Sequence, residues 1–258
     1  MRELQHPMNV LVTGAAAGLG RVVCERFAAR GCRVHVCDVD EANLRSLADS
    51  TSGVRYSVAD VGSASDVDAM IAAALQWMGS VDVLVNNVGV AGPRQPVEAI
   101  SDAEWLDVLQ ANLLGAVRCI RGVLPRMQQQ QSGVIVNVST GSVRTRPLNR
   151  SPYTVSKAAL ESLSWCIARE AGPFGVRCNV VRPGIMRNER LQRVLQRVAE
   201  QTGRSLDSVL GEQLQFVSMR TMVEMDEVAN AIAFLASPEA RHISGQIIAV
   251  DGDFAWET

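Results

Sequence analysis

Apolar residues along this chain fall into two alternating patterns. Short apolar runs at 9–13, 33–37, 54–58, 81–85, 176–181 and 247–250 read as buried strands, the first of them rich in valine. Between them, the segments 18–29, 64–78, 102–131 and 152–171 carry the pattern of helices with one face toward a core. Strand and helix alternate to beyond residue 180 without a linker, and 258 residues suit one large domain. A single doubly wound α/β domain over 1–258 is therefore expected. Only the glutamine tract at 128–131 is compositionally biased, and it reads as the end of the long helix that starts near Asp102.

The first strand runs into Gly14, Ala15, Ala16, Ala17, Gly18, Leu19 and Gly20. Small residues there let a diphosphate approach the backbone, and free N–H groups at a helix start can hold it. The glycine spacing departs from GxGxxG, and a plain tight strand-to-helix turn would use the same residues. The second strand ends in Asp38, 18 residues beyond Gly20, where a carboxylate can bond an adenosine ribose diol. It would also repel a 2′-phosphate, and neither Ala17 nor Val39 offers a cation, so NAD is expected rather than NADP. Asp60, after the third strand, is a candidate for the adenine edge and equally for a helix cap. The fourth strand leads into Asn86, Asn87, Val88 and Gly89. Two carboxamides directly after a buried strand need partners, and they are expected to knit together the cofactor end of the sheet.

Tyr153 and Lys157 stand one helical turn apart and share a helix face. A cation beside a phenol favours phenolate, which makes the pair a candidate for moving a proton, although a helix with a solvated lysine has the same spacing.

The net charge of −2 and the dispersed basic residues indicate neither a nucleic-acid face nor a polybasic membrane patch. No signal peptide or apolar run of membrane-spanning length is apparent, and a cytoplasmic location is expected. The six cysteines lie in apolar stretches without metal-ligand spacing and read as reduced core residues. His6, His35 and His242 are too scattered to suggest a metal, and none is expected.

The run from Thr13 to Gly20, the Asn86-Asn87-Val88-Gly89 turn, Asn112, Ser139-Thr140, Tyr153 with Lys157, and Pro183-Gly184 together make the sequence resemble the classical short-chain dehydrogenase/reductase family over essentially its whole length. The resemblance implies a Rossmann-type fold, a mostly parallel seven-stranded sheet with helices on both faces. It implies an NAD-dependent enzyme that interconverts a secondary alcohol and a ketone, with Tyr153 as general acid/base. Lys157 would hold the nicotinamide ribose, a hydroxyl from 139–142 would position the substrate oxygen, and Asn112 would prop a water that relays protons past the lysine. Thr140 stands where the family has serine, 13 residues before Tyr153, and is preferred to Ser142 and Ser139. The cofactor site so implied takes Gly14, Ala16, Ala17, Gly18 and Leu19 from the first turn, with Asp38, Val39, Asp60 and Val61 beyond the next strands. Asn87, Val88, Gly89, Tyr153, Lys157, Pro183, Gly184, Ile185 and Asn188 complete it toward the nicotinamide.

The sequence departs from the family pattern at Val88, where alanine is usual, at Asn188, where threonine often bonds the nicotinamide carboxamide, and at Asp253, where a second glycine is usual. A substrate lid is expected over about 185–222, with helices at 189–201 and 206–217. Arg94, Arg144, Arg146, Arg187 and Arg190 all follow carboxyl ends of strands. They favour a small polar or anionic substrate if several face one cleft, and are otherwise ordinary solvated cations. Apolar residues of the 152–171 helix, the helix near 102–131 and the short carboxyl tail through Trp256 suggest a homotetramer. Two other functions fit the same fold: a non-enzymatic NAD-binding regulator, which usually lacks one of the catalytic groups, and an NAD-dependent epimerase or dehydratase, whose relatives generally carry a larger carboxyl-terminal domain.

Overall fold

The computed structural model describes residues 7–255, without the side chains of Glu189 and Arg190; His6 and Trp256 lie outside the described residues. Seven strands, β1 (Asn9–Thr13), β2 (Arg33–Asp38), β3 (Val54–Val58), β4 (Val83–Asn86), β5 (Gly133–Val138), β6 (Val176–Pro183) and β7 (Ile247–Val250), form one sheet in the order β3-β2-β1-β4-β5-β6-β7. Every neighbouring pair is parallel. The chain proceeds outward from β1 to β3, then crosses back to place β4 on the other side of β1. That reversal creates a crevice at the carboxyl ends of β1 and β4, the usual ligand position in open α/β sheets.

The helices are α1 (Gly18–Ala28), α2 (Glu41–Ser50), α3 (Ala64–Met78), α4 (Asp102–Leu109), α5 (Gly115–Gln130), α6 (Ser142–Thr145), α7 (Ser151–Ala171), α8 (Glu189–Thr202), α9 (Leu206–Leu214) and α10 (Met225–Ala236). Successive residues of a strand face opposite ways, and β1 shows why its run is apolar throughout. Val10 and Val12 join one core layer with Val23 and Phe27 of α1 and Ile232 of α10. Leu11 enters the opposite layer with Met70 of α3 and Val123 of α5.

Several boundaries have local causes. Ser63 caps α3 by accepting the Asp66 N–H, and Gly79 ends that helix at φ 79°. Ser101 and Glu104 form a capping box that starts α4. The helix expected over 102–131 is interrupted by a π-helical turn at Gln110–Leu114, which separates α4 from α5 and carries Asn112. Such a turn adds a residue to the helical repeat and re-aims the side chains beyond it. The second helix expected over 206–217 ends at Leu214, because Val217 pairs with Phe254 in an antiparallel bridge.

Residues 185–223 leave the sheet between β6 and α10. Leu195 and Ala199 of α8 pack with Val209 of α9 in a cluster apart from the main core. The two ends of the excursion meet where the Arg187 N–H donates to the Val223 carbonyl at 2.8 Å and the Val223 N–H donates to the Ile185 carbonyl at 2.9 Å.

His35 on β2 is buried, with Nε2 2.9 Å from Ser57 Oγ and its ring beside Trp77. Burial, aided by the Arg55 charge, lowers its pKa from 6.5 to about 4. The unfolded chain therefore takes up this proton first. The stability tied to neutral His35 is complete above pH 6.5 and is lost as pH falls toward 4. Between about pH 7 and about pH 5 the loss from this residue is expected to be about 2 kcal/mol. Denaturant titrations of wild type and His35→Asn at both pH values check this, the variant losing correspondingly less.

Candidate active site

At the end of β1 the chain turns through Gly14 at φ 67°, and the N–H groups of Gly14 and Ala15 donate to the Cys37 carbonyl at 2.8 and 3.1 Å. A Cβ on Gly20 would lie 2.2 Å from the Gly14 carbonyl oxygen and 2.9 Å from Ala15 Cα, so α1 can approach this turn only with glycine there. Ala17, the N-cap of α1, makes no side-chain cap, and the first turn of the helix holds no acid. The free N–H groups and positive end of the helix dipole thus remain available to an anion. These features fit the diphosphate of a dinucleotide.

The Asp38 carboxylate accepts the Ala16 N–H at 3.1 Å and the Val39 N–H at 2.7 Å, which fixes it beside the glycine turn. Asp60 accepts the Gly62 N–H at 2.8 Å, a local turn bond at the end of β3. Asn87 ties β4 to the turn: its side-chain NH2 donates to the Thr13 and Gly14 carbonyls, and its backbone N–H donates to Thr13 Oγ1. Asn86 donates to Asn137 Oδ1 on β5, and Asn137 donates to Ser164 on α7. The paired carboxamides therefore stitch the sheet beneath the crevice. Val88 packs against Gly14, its Cγ2 3.0 Å from where a Cβ on that glycine would stand.

A cleft of about 470 Å³ opens here. Gly14, Ala17, Leu19, Asp38, Val39, Asp60, Val61, Asn87, Val88, Gly89, Pro183 and Gly184 border it, as do Thr140, Tyr153 and Lys157. Cys37, Ala59, Val90, Ala111, Val138 and Met186 border it too, although the sequence did not nominate them. Ala16, Gly18, Ile185 and Asn188 are not among the bordering residues. Ala16 serves the site through its N–H bond to Asp38, whereas Asn188 caps α8, its Oδ1 accepting the Leu191 N–H at 2.8 Å.

Lys157 lies inside the protein on α7, 2% exposed, with Nζ donating to the Val88 and Val138 carbonyls at 2.9 Å each. Burial lowers its pKa to about 8. It is the only lysine of the chain; the other 24 basic residues are arginines. A compact ammonium with three donors fits between two carbonyls and the cleft, where a planar guanidinium would not.

Tyr153 borders the cleft one turn earlier, with the Arg150 guanidinium 4.8 Å from its ring centroid. The Ser156 hydroxyl donates to the Tyr153 carbonyl at 2.8 Å and receives a bond from Asn112 Nδ2 at 2.9 Å. The rest of the Asn112 carboxamide holds the Val90 backbone, accepting its N–H at 2.8 Å and donating to its carbonyl at 3.0 Å. Asn112 therefore sits behind the cleft and splints the β4 loop to the tyrosine helix. Ser156 and Arg150 escaped the sequence reading, since neither carries a recognisable spacing.

Of the three candidate hydroxyl residues, Ser139 and Thr140 both border the cleft and Ser142 does not. Ser139 Oγ is buried and donates to Glu161 Oε1 at 2.6 Å. Thr140 borders the cleft, and its Oγ1 lies 3.4 Å from Ser142 Oγ and accepts the Ser142 N–H at 3.3 Å. Arg94, Arg144, Arg146 and Arg187 do not border the cleft; Arg144 pairs with Asp253 at 3.3 Å and Arg187 with Glu224 at 2.7 Å. The Arg190 side chain lies outside the described residues. Among the described residues no three histidine, cysteine or acidic side chains are gathered as metal ligands, and no helix is long and apolar enough to cross a membrane.

A family model described as enoyl-(acyl carrier protein) reductase matches residues 14–254. The short-chain reductase protein NovJ of Streptomyces niveus is 33% identical over 246 residues, 94% of this chain and 92% of its own. The chain belongs to the short-chain dehydrogenase/reductase family. Among solved structures, an NAD+-bound xylitol dehydrogenase superposes with a TM-score of 0.87 at 26% identity, covering 94% of this chain and 97% of its own. An actinorhodin polyketide ketoreductase with NADPH superposes with a TM-score of 0.88 at 28% identity, covering 95% and 96%. The protein is thus a short-chain dehydrogenase/reductase oxidoreductase with a Rossmann-like parallel sheet, from a family that binds nicotinamide cofactors.

Proposed function

We propose that the chain is an NAD-dependent oxidoreductase interconverting a secondary alcohol and a ketone on a small polar or anionic substrate, with Tyr153 as general acid/base. The observation that carries this reading is the meeting of Thr140, Tyr153 and the anchored Lys157 at one end of a cleft whose other end holds the glycine turn and Asp38.

When bound, the nicotinamide supplies the site that takes or gives hydride at the carbinol carbon. The chain's own groups handle the proton and the positions. In the oxidative direction the Tyr153 oxygen takes the carbinol proton as hydride leaves, and in the reverse direction it returns that proton. Thr140 Oγ1 holds the substrate oxygen by a hydrogen bond. Lys157, fixed by the Val88 and Val138 carbonyls, keeps a positive charge beside the phenol and takes a ribose hydroxyl. Asn112 keeps the Val90 loop and α7 at a constant separation. The 185–222 excursion would cover the substrate and exclude water. Arg94 and Arg146 are exposed cations outside the border of the cleft, so an anionic group of the substrate would have to reach beyond it to meet them. Trp165 and Val155 on α7 and Leu106 on α4 are large apolar side chains left exposed, which supports assembly as a homotetramer through these helices. All six cysteines are free, and five are buried as expected while Cys166 is exposed on α7 rather than in the core; unpaired thiols support a cytoplasmic setting.

Preference for NAD rests on Asp38 and Asp60 bordering the cleft, where Lys157 is the lone cation among the described bordering residues. A 2′-phosphate would meet the Asp38 carboxylate with no guanidinium to receive it. Wild type is expected to bind NAD at least about tenfold more tightly than NADP, and Asp38→Asn to shrink that ratio by about tenfold. Titration of both proteins with each dinucleotide measures it, and tighter binding of NADP by wild type would overturn the assignment.

A further inference from the structure

The carboxyl-terminal segment after β7 does more than end the sheet. Asp253 holds φ 60°, a left-handed conformation that favours glycine, yet an aspartate stands there. Its carboxylate accepts the Ser218 hydroxyl at 2.6 Å through Oδ2 and meets Arg144 Nη1 at 3.3 Å through Oδ1. Ser218 belongs to the exit of the 185–223 excursion, and Arg144 to α6, directly after Thr140. One carboxylate thus bridges two segments that are distant in sequence and that the proposed reaction brings together over the substrate.

The backbone repeats the connection. The Ser218 N–H donates to the Asp253 carbonyl, the Met219 N–H to the Gly252 carbonyl and the Ala255 N–H to the Phe216 carbonyl. Val217 bridges Phe254, and the Phe254 ring abuts Gly141, where an added Cβ would lie 2.9 Å from Cδ1. Backbone strain kept at a position with two side-chain partners points to a positional role.

We propose that Asp253 is a positioning residue that clasps the exit of the lid to the loop bearing Thr140, so that ordering of the lid and alignment of the hydroxyl occur together. This rests on the reading of 185–222 as a lid and of Thr140 as the substrate-facing hydroxyl. The backbone bonds dock the tail; the carboxylate couples the two segments it touches.

Amide hydrogen exchange on the full-length protein with NAD present decides the clasp without turnover. Asp253→Gly relieves the left-handed strain and keeps the backbone bonds, so it folds, and it is expected to speed exchange at least about threefold in both 139–146 and 216–220. Asp253→Asn keeps an acceptor for Ser218 but loses the charge facing Arg144, so it speeds exchange chiefly in 139–146. In steady state, Asp253→Gly is expected to raise KM for the carbonyl substrate at least about threefold, with NAD affinity within about twofold of wild type. Faster exchange in one segment only, or in neither, after Asp253→Gly overturns the clasp. Absence of turnover in wild type overturns the proposed reaction instead, and the exchange result still decides whether Asp253 couples the two segments.

Discussion

Tyr153→Phe is expected to lower kcat by about 10²- to 10⁴-fold while leaving NAD affinity within about twofold. The expectation follows from what the substitution removes. Tyr153 borders the cleft with its ring under Arg150, and its helix position is held through its backbone carbonyl by Ser156. Phenylalanine preserves the ring, the helix and Lys157, and loses one oxygen. Hydride loss from a carbinol carbon requires removal of the O–H proton, so losing the group that takes it removes transition-state stabilisation that substrate binding does not share. Steady-state kinetics in both directions, beside dinucleotide titration, separate the two effects. Equal kcat in the two proteins would remove Tyr153 from the chemistry.

The largest effect on stability is expected at Glu161, one turn beyond Lys157. Its carboxylate forms a two-pronged bond with Arg182 of β6, Nε to Oε1 at 3.0 Å and Nη2 to Oε2 at 2.7 Å, and Oε1 also accepts the Ser139 hydroxyl. The Glu161 side chain is 6% exposed and that of Arg182 18%. Glu161→Ala leaves a largely buried guanidinium and a buried hydroxyl without their acceptor, and a change of this kind costs about 3–5 kcal/mol. Glu161→Leu combined with Arg182→Leu is expected to recover most of that loss, because a matched apolar pair leaves no uncompensated charge. Denaturant midpoints of wild type, Glu161→Ala and the double variant measure the difference. The ion pair also has a local consequence: it holds Ser139 between Val138, whose carbonyl receives Lys157, and Thr140.

Much of the fold was legible because β1, β2 and β6 carry apolar runs at places where parallel strands must be buried on both faces. The turn at Gly14, the acid at Asp38 and the Tyr153/Lys157 spacing were legible for the same reason: each is a local pattern with one dominant geometry. The break at Gln110–Leu114 was not, since no proline or glycine within 110–114 marks it and a helical pattern resumes on its far side. Glu161 with Arg182, Asn112 with Ser156, and Asp253 with Ser218 are pairings across 21, 44 and 35 residues, set by tertiary packing rather than by spacing. Ranking Ser139 against Thr140 draws on the same long-range information, because the bond from the Ser139 hydroxyl to Glu161 leaves no mark in the local spacing.

The central claim, NAD-dependent exchange between a secondary alcohol and a ketone, is tested most directly by initial rates of the purified protein with NAD and with NADP. The substrates are a panel of secondary alcohols, polyols, hydroxy acids and their carbonyl partners, with Tyr153→Phe run beside wild type. Reduction of NAD with at least one alcohol of the panel, the reverse reaction with its ketone, and loss of both in the variant are expected. Measurable NAD binding with no turnover across the panel would contradict it and leave a dinucleotide-binding protein on an oxidoreductase fold.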